Sequence, residues 1–259
     1  MRLVFLGVSL AMSIVAGLLH AADDMGVLFV GGTYSNVDPM QVDKFEAQKR
    51  VLDRLGIPWR DVNIKSTRPY TESVPILEEA IEDCGWKHYA IVSHSAGGLT
   101  TLSALLERPE LQDNLSGWVA YQAPFYGASP VDRATRMLDI FDPLRIRRAF
   151  DFTGLHRLSA LTTREERLPY MRRHDDEIRR LTAEKPVICV SADAGTGTDG
   201  LVDTDSMVLP GAAELSGGRA THLGLTMGGH GSASHQEEIF SRAWGEIAGQ
   251  FGCEVLDRL

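Results

Sequence analysis

Short, unbroken apolar runs alternate along this chain with longer stretches of helical periodicity. Gly26-Val27-Leu28-Phe29-Val30 ends in Gly31-Gly32 and has the form of a strand buried on both faces. From Asp38 to Leu55 the apolar positions Val42, Phe45, Leu52 and Leu55 hold one helical face, which Gly56-Ile57-Pro58 terminates. Val62-Asn63-Ile64 is the next strand candidate, and Val74, Leu77 and Ile81 return to helical spacing before Gly85. His88-Tyr89-Ala90-Ile91-Val92 predicts a strand, and the segment from Leu99 to Leu106 a helix that ends before Pro109. Two more strands are predicted at 118–121 and 186–190, and Ile239, Ala243, Trp244 and Ile247 share one face of a closing helix. Strands alternating with helices predict an α/β fold, a mostly parallel sheet with helices on both faces.

Two stretches depart from this alternation. Residues 131–184 are dense in Arg and Asp, with scattered Leu, Phe and Met and no strand pattern. They predict two or three amphipathic helices inserted after a strand, as a cap over the site or as a fixed helical excursion. At the start, Met1-Arg2 is followed by an apolar stretch from Leu3 to Leu19 and then His20-Ala21-Ala22. This reads as a secretory signal peptide over residues 1–22, with an uncleaved anchor as the alternative. Residues 23–259 are then one domain lying outside the cytoplasm, secreted or periplasmic.

A chain of 259 residues with 44% hydrophobic and 24% charged residues suits a soluble globular domain of this kind. The net charge of −9 becomes −10 once Arg2 is removed with the leader. Such a surface repels phosphate backbones and excludes nucleic acid as a partner. It also opposes electrostatic docking on anionic lipid, while leaving transient apolar contact with a neutral ester interface open. Cys189, inside the apolar run from Val187 to Val190, reads as a buried, inert thiol. Cys84 and Cys253 can pair only if the fold brings their Cα atoms together. No Cys/His spacing suits a metal.

Candidate chemistry centres on Ser93-His94-Ser95-Ala96-Gly97-Gly98, set between a predicted strand and a predicted helix. A nucleophile elbow needs this strand–turn–helix order, with small residues around a serine at the apex. The usual pattern is G-x-S-x-G, and Ser93 stands at the first glycine. An ordinary turn with capping serines is the alternative. A serine needs an imidazole to accept its proton and a carboxylate to orient that imidazole. Downstream, Asp199 lies in a Gly/Thr-rich loop and His222 in Thr221-His222-Leu223. Asp193 competes for the acid, Asp203 or Asp205 is a candidate cap for a short helix, and His230 and His235 compete for the base. His94 adjoins Ser95 in sequence, so its side chain points away from it and serves packing or polar support. The amide of Ala96, next after the nucleophile, is one donor to a developing oxyanion, a contribution of about 3–4 kcal/mol per donor.

Gly31-Gly32-Thr33, Ser95, the segment from Gln122 to Pro130, Asp199-Gly200-Leu201-Val202 and His222-Leu223-Gly224-Leu225 occur in one order. Together they resemble the secreted bacterial lipases and esterases of the α/β-hydrolase superfamily. The resemblance implies an α/β-hydrolase fold and cleavage of lipophilic carboxylic esters through an acyl-enzyme, without a cofactor. It implies Ser95 as nucleophile, His222 as base and Asp199 as acid. Thr33 becomes the second oxyanion donor, with Gly32 behind it. Some lipases of the family carry an acidic, calcium-holding residue two positions after the base. Here that position is Gly224, so no metal is implied. Acyltransferase, polyester depolymerase and amidase activities fit the same residues, as does a non-catalytic binding protein on the same fold. A nucleotide-binding protein is disfavoured, since no G-x-G-x-x-G follows the first strand.

Overall fold

The structure is a computed structural model and describes residues 25–32, 44–64, 70–128, 163–227 and 230–249. Six strands form one sheet: β1 (Met25–Val30), β2 (Trp59–Val62), β3 (His88–His94), β4 (Leu115–Tyr121), β5 (Val187–Ser191) and β6 (Ala213–Ser216). Their order is β2-β1-β3-β4-β5-β6, and every neighbouring pair is parallel. The helices are α1 (Glu46–Leu55), α2 (Val74–Glu82), α3 (Ala96–Glu107), α4 (Arg164–Arg173), α5 (Asp175–Glu184) and α6 (Ala233–Gly249).

Continuous apolar strands are what a sheet covered on both faces demands. Leu28, Val30, Tyr89, Ile91, Trp118, Ala120, Val187 and Cys189 point into one core, with residues of α2, α3, α4 and α5. Their strand neighbours Val27, Phe29, Ala90, Val92, Val119, Tyr121, Ile188 and Val190 point into the other, with α1 and α6. The period of two thus sorts each strand between two cores. Gly117 lets α6 approach β4, since a Cβ there would stand 2.9 Å from Ile247.

Three elements differ from the sequence expectation. Phe45 precedes α1 in a left-handed conformation (φ 58°) and does not continue a helix from upstream, although its ring is buried. β2 begins directly after Pro58, whose carbonyl accepts the Val27 N–H at 2.9 Å. That contact starts the Val27–Val30 pairing at Trp59 and leaves Ile64 beyond the strand. β6 escapes notice because Ala213-Glu214-Leu215-Ser216 is a short edge strand, largely exposed, with weak β-propensity.

Of the interval expected to form a helical insertion, residues 163–184 are described. They make α4 and α5, whose Met171, Ile178 and Leu181 belong to the core. Arg167 is buried on α4, donating to Phe125 O at 3.0 Å and Tyr70 OH at 2.8 Å, with the Tyr170 ring 4.3 Å away. Residues 131–162, the leader over 1–22 and Cys253 lie outside the described residues. Cys84 is buried, and burial pushes the Cys189 thiol up to about 12, as suits an inert core thiol. Among the described residues no helix is long and apolar enough to cross a membrane.

Candidate active site

The chain passes from β1 to β2 on one side of the sheet and to β3 on the other. The crevice at the carboxyl ends of β1 and β3 is therefore the topological switch point, where open α/β sheets bind ligands. Ser95 sits there, between the end of β3 and the start of α3, with φ 55° and ψ −127°. A non-glycine residue held so carries about 1–3 kcal/mol of strain, which the surrounding structure must offset. Its N–H donates to Tyr121 O at 3.0 Å, and its carbonyl accepts from Gly98 N at 2.9 Å.

The neighbours are small because the packing leaves no room. A Cβ on Gly97 would overlap the carbonyl oxygens of Val30 and Gly31, and one on Gly98 would overlap Ala123 Cβ. A Cβ on Gly32 would stand 2.7 Å from Ser95 Cβ, so the loop after β1 lies against the serine. Ser93, where the pattern has glycine, is wholly buried, and its Oγ accepts the Trp118 indole N–H at 2.8 Å.

His222 and Asp199 converge on this serine from loops beyond β5 and β6. His222 Nε2 is 2.8 Å from Ser95 Oγ, and His222 Nδ1 is 2.7 Å from Asp199 Oδ2. An ionised carboxylate only accepts, so Nδ1 carries the proton and Nε2 is left to accept from the hydroxyl. Asp199 is 1% exposed, yet its two oxygens take four donors. Oδ1 accepts the N–H groups of Leu201 (2.9 Å) and Val202 (2.8 Å), and Oδ2 accepts His222 Nδ1 and Gln122 Nε2 (2.8 Å). Burial raises the Asp199 pKa, but the hydrogen bonds and charge of His222 and the two backbone N–H groups outweigh it and hold the carboxyl below its ordinary value.

The backbone ties His222 to Asp199 as well, through His222 N–H to Asp199 O at 2.9 Å. On the other side of the imidazole, His94 donates from Nε2 to His222 O at 2.7 Å, with the two rings 4.8 Å apart. Burial, reinforced by neighbouring His222, lowers His94 to about 3, so it is a neutral donor.

The chain matches no protein-family model and no curated protein. Among solved structures it is similar to the metagenomic carboxyl esterase MGS0156, with a TM-score of 0.68 at 18% identity, covering 88% of this chain and 76% of that one. It is also similar to the mature lipase BlEst2 of Bacillus licheniformis, with a TM-score of 0.57 at 14% identity over 77% and 85% of the two chains. The chain has the α/β-hydrolase fold. The turn from β3 into α3 at Ser95 and the loops after β5 and β6 that hold Asp199 and His222 meet at the carboxyl edge of this sheet.

Of the residues singled out in the sequence, Ser95, His222 and Asp199 lie within hydrogen-bonding reach of one another, and Ala96 opens α3 beside the serine. Thr33 lies outside the described residues; Gly32, its neighbour, borders Ser95. The competitors are engaged elsewhere. Asp193 Oδ1 accepts three backbone N–H groups of its own loop; Asp203 precedes the short helical turn Thr204–Ser206 without a side-chain cap bond, and it and Asp205 face Arg164. His230 is exposed, and His235 donates to Gly217 O at 3.0 Å. Gln122 also belongs to the site, although the sequence assigns it no role there. It opens the segment from Gln122 to Pro130 that carries part of the resemblance, and its place at a strand end is the further signal.

Proposed function

We propose that this protein is a serine hydrolase of carboxylic esters, with Ser95 as nucleophile, His222 as general base and acid, and Asp199 as the group that orients the imidazole. The observation that carries the reading is the continuous relay from Ser95 Oγ to His222 Nε2 (2.8 Å) and from His222 Nδ1 to Asp199 Oδ2 (2.7 Å). His222 Nε2 takes the Ser95 proton as Oγ bonds to the ester carbonyl carbon. The carbonyl oxygen becomes an oxyanion for which the amide of Ala96 is one donor, and the resemblance gives Thr33 as the second. The intermediate collapses as His222 returns the proton to the leaving alcohol, leaving an acyl-Ser95. Water, deprotonated by the same imidazole, then releases the acid and restores the serine.

Esters are the substrate class because an esterase and a lipase share the fold and the relay suits acyl transfer. The apolar leader from Leu3 to Leu19 supports export of the domain. Ser95→Ala and His222→Ala should each lower kcat on a p-nitrophenyl ester by about 10⁴-fold or more. His230→Ala should stay within about twofold of the parent, since exposed changes away from a site are mild. Wild type should take up one equivalent of a fluorophosphonate probe at Ser95. Absence of labelling would favour a non-catalytic binding protein, and activity surviving Ser95→Ala would overturn the assignment.

A further inference from the structure

The site contains a buried amide that the relay itself does not use. Gln122 follows β4 directly, is wholly buried and has φ 49°, left-handed backbone for a residue that is not glycine. Its Nε2 donates twice, to Asp199 Oδ2 at 2.8 Å and to Thr221 O at 3.0 Å. Both partners are acceptors, so the orientation of the amide is determined by its neighbours. The same orientation leaves Gln122 Oε1 buried with no hydrogen-bond partner among the described residues. A side chain needed only to fill space would be apolar, since a buried polar atom without a partner is costly.

Three placements coincide at this residue. The carbonyl just before it, Tyr121 O, accepts the Ser95 N–H at 3.0 Å. The carboxylate oxygen it touches is the one that accepts from His222 Nδ1. The carbonyl it touches belongs to Thr221, the residue before His222. One residue therefore links the backbone of the serine, the Asp199 oxygen bonded to His222 and the loop bearing His222. We infer that Gln122 is a positioning residue, whose amide sets the separation of Asp199 and His222 and shares the charge of Oδ2.

The inference rests on the relay of Ser95, His222 and Asp199 being the catalytic one. Without the amide, Oδ2 loses one of its two donors and acts more strongly on the positive charge that develops on the imidazole during turnover. The other titratable groups around the bridge are His94, across the imidazole, and Lys44, which acts electrostatically on His94.

Gln122→Asn and Gln122→Glu separate the possibilities, assayed with p-nitrophenyl butyrate alongside wild type and Ser95→Ala. Asparagine favours left-handed backbone but is one methylene too short to bridge. Its kcat should fall by roughly 10- to 100-fold with KM within about twofold, the loss expected of a small misalignment at a reacting centre. The acid limb of its kcat/KM profile should move to higher pH. Glutamate keeps the shape, but only its protonated form donates to Asp199. Its activity relative to wild type should therefore recover toward acidic pH and fall as pH rises.

Wild-type kcat and pH profile in both variants, with or without a lowered Tm, would reduce Gln122 to a structural role and overturn the inference. Failure of both to fold would do the same. Activity that survives Ser95→Ala would instead remove the relay on which the inference rests, so the two failures are distinguishable.

Discussion

Ser93 stands where the elbow pattern has its first glycine, and the contact with Trp118 explains how a hydroxyl is accommodated there. The turn requires a small side chain, and the serine adds a buried acceptor that the indole N–H satisfies at 2.8 Å. Trp118→Phe should destabilise the protein by about 1–3 kcal/mol, because it leaves that acceptor unpaired and removes ring contacts. Adding Ser93→Ala to that variant should recover about 1 kcal/mol, a coupling readable from urea unfolding of the four proteins in the cycle. Strictly additive effects would show that the hydrogen bond contributes nothing. The serine at the apex was legible from its small neighbours. The choice of Asp199 and His222 over Asp193 and His230 came from the resemblance, because loop carboxylates and loop histidines look alike in sequence.

At the scale of elements, the site depends on how closely β1 and α3 approach. Gly97→Ala would push a methyl group into the carbonyls of Val30 and Gly31. We expect a loss of about 1–3 kcal/mol or more together with a loss of ester turnover, since the loop after β1 also borders Ser95. Gly56→Ala is the contrasting case. Gly56 ends α1 at φ 70°, with its N–H on Asp53 O and no heavy atom within 4 Å of a built Cβ. That substitution should cost about 1 kcal/mol through backbone strain alone and leave turnover per folded molecule unchanged. Thermal unfolding and ester assays on the two variants separate these outcomes. Equal turnover losses in both would show that β1–α3 packing does not control the site.

At the scale of the whole molecule, the site lies where the parallel sheet reverses its winding, and the two cores hold it from either face. A neutral imidazole and an ionised carboxylate buried there make the protein sensitive to acid. His94, lowered to about 3, stays uncharged in the native state, whereas an unfolded histidine gains a proton below about 6.5. Between those values the unfolded chain binds more protons, so stability falls as pH falls, by up to about 1.4 kcal/mol per pH unit. Asp199, held below its ordinary value, contributes stability above about 3.9 that is lost as pH drops through its folded value. His94→Gln keeps an amide donor for His222 O and removes the titration. Its acid-unfolding midpoint should lie at lower pH than that of wild type, followed by far-UV circular dichroism. Coincident midpoints would show that His94 does not titrate on unfolding.

Local patterning alone determined the alternation of strand and helix, the parallel sheet and the elbow, because short apolar runs and helical periodicity report burial directly. The tertiary structure decided what depends on distant partners. Pairing with β1 moved the second strand forward to Trp59, and Phe45, buried just ahead of α1, is left-handed. A helix that reads as charged buries Arg167 against Phe125 and Tyr70. Gln122 meets Asp199 across 77 residues and Thr221 across 99, distances over which no periodicity in the chain carries information. Hydrogen bonds of that span exist only once the sheet has brought its loops to a common edge.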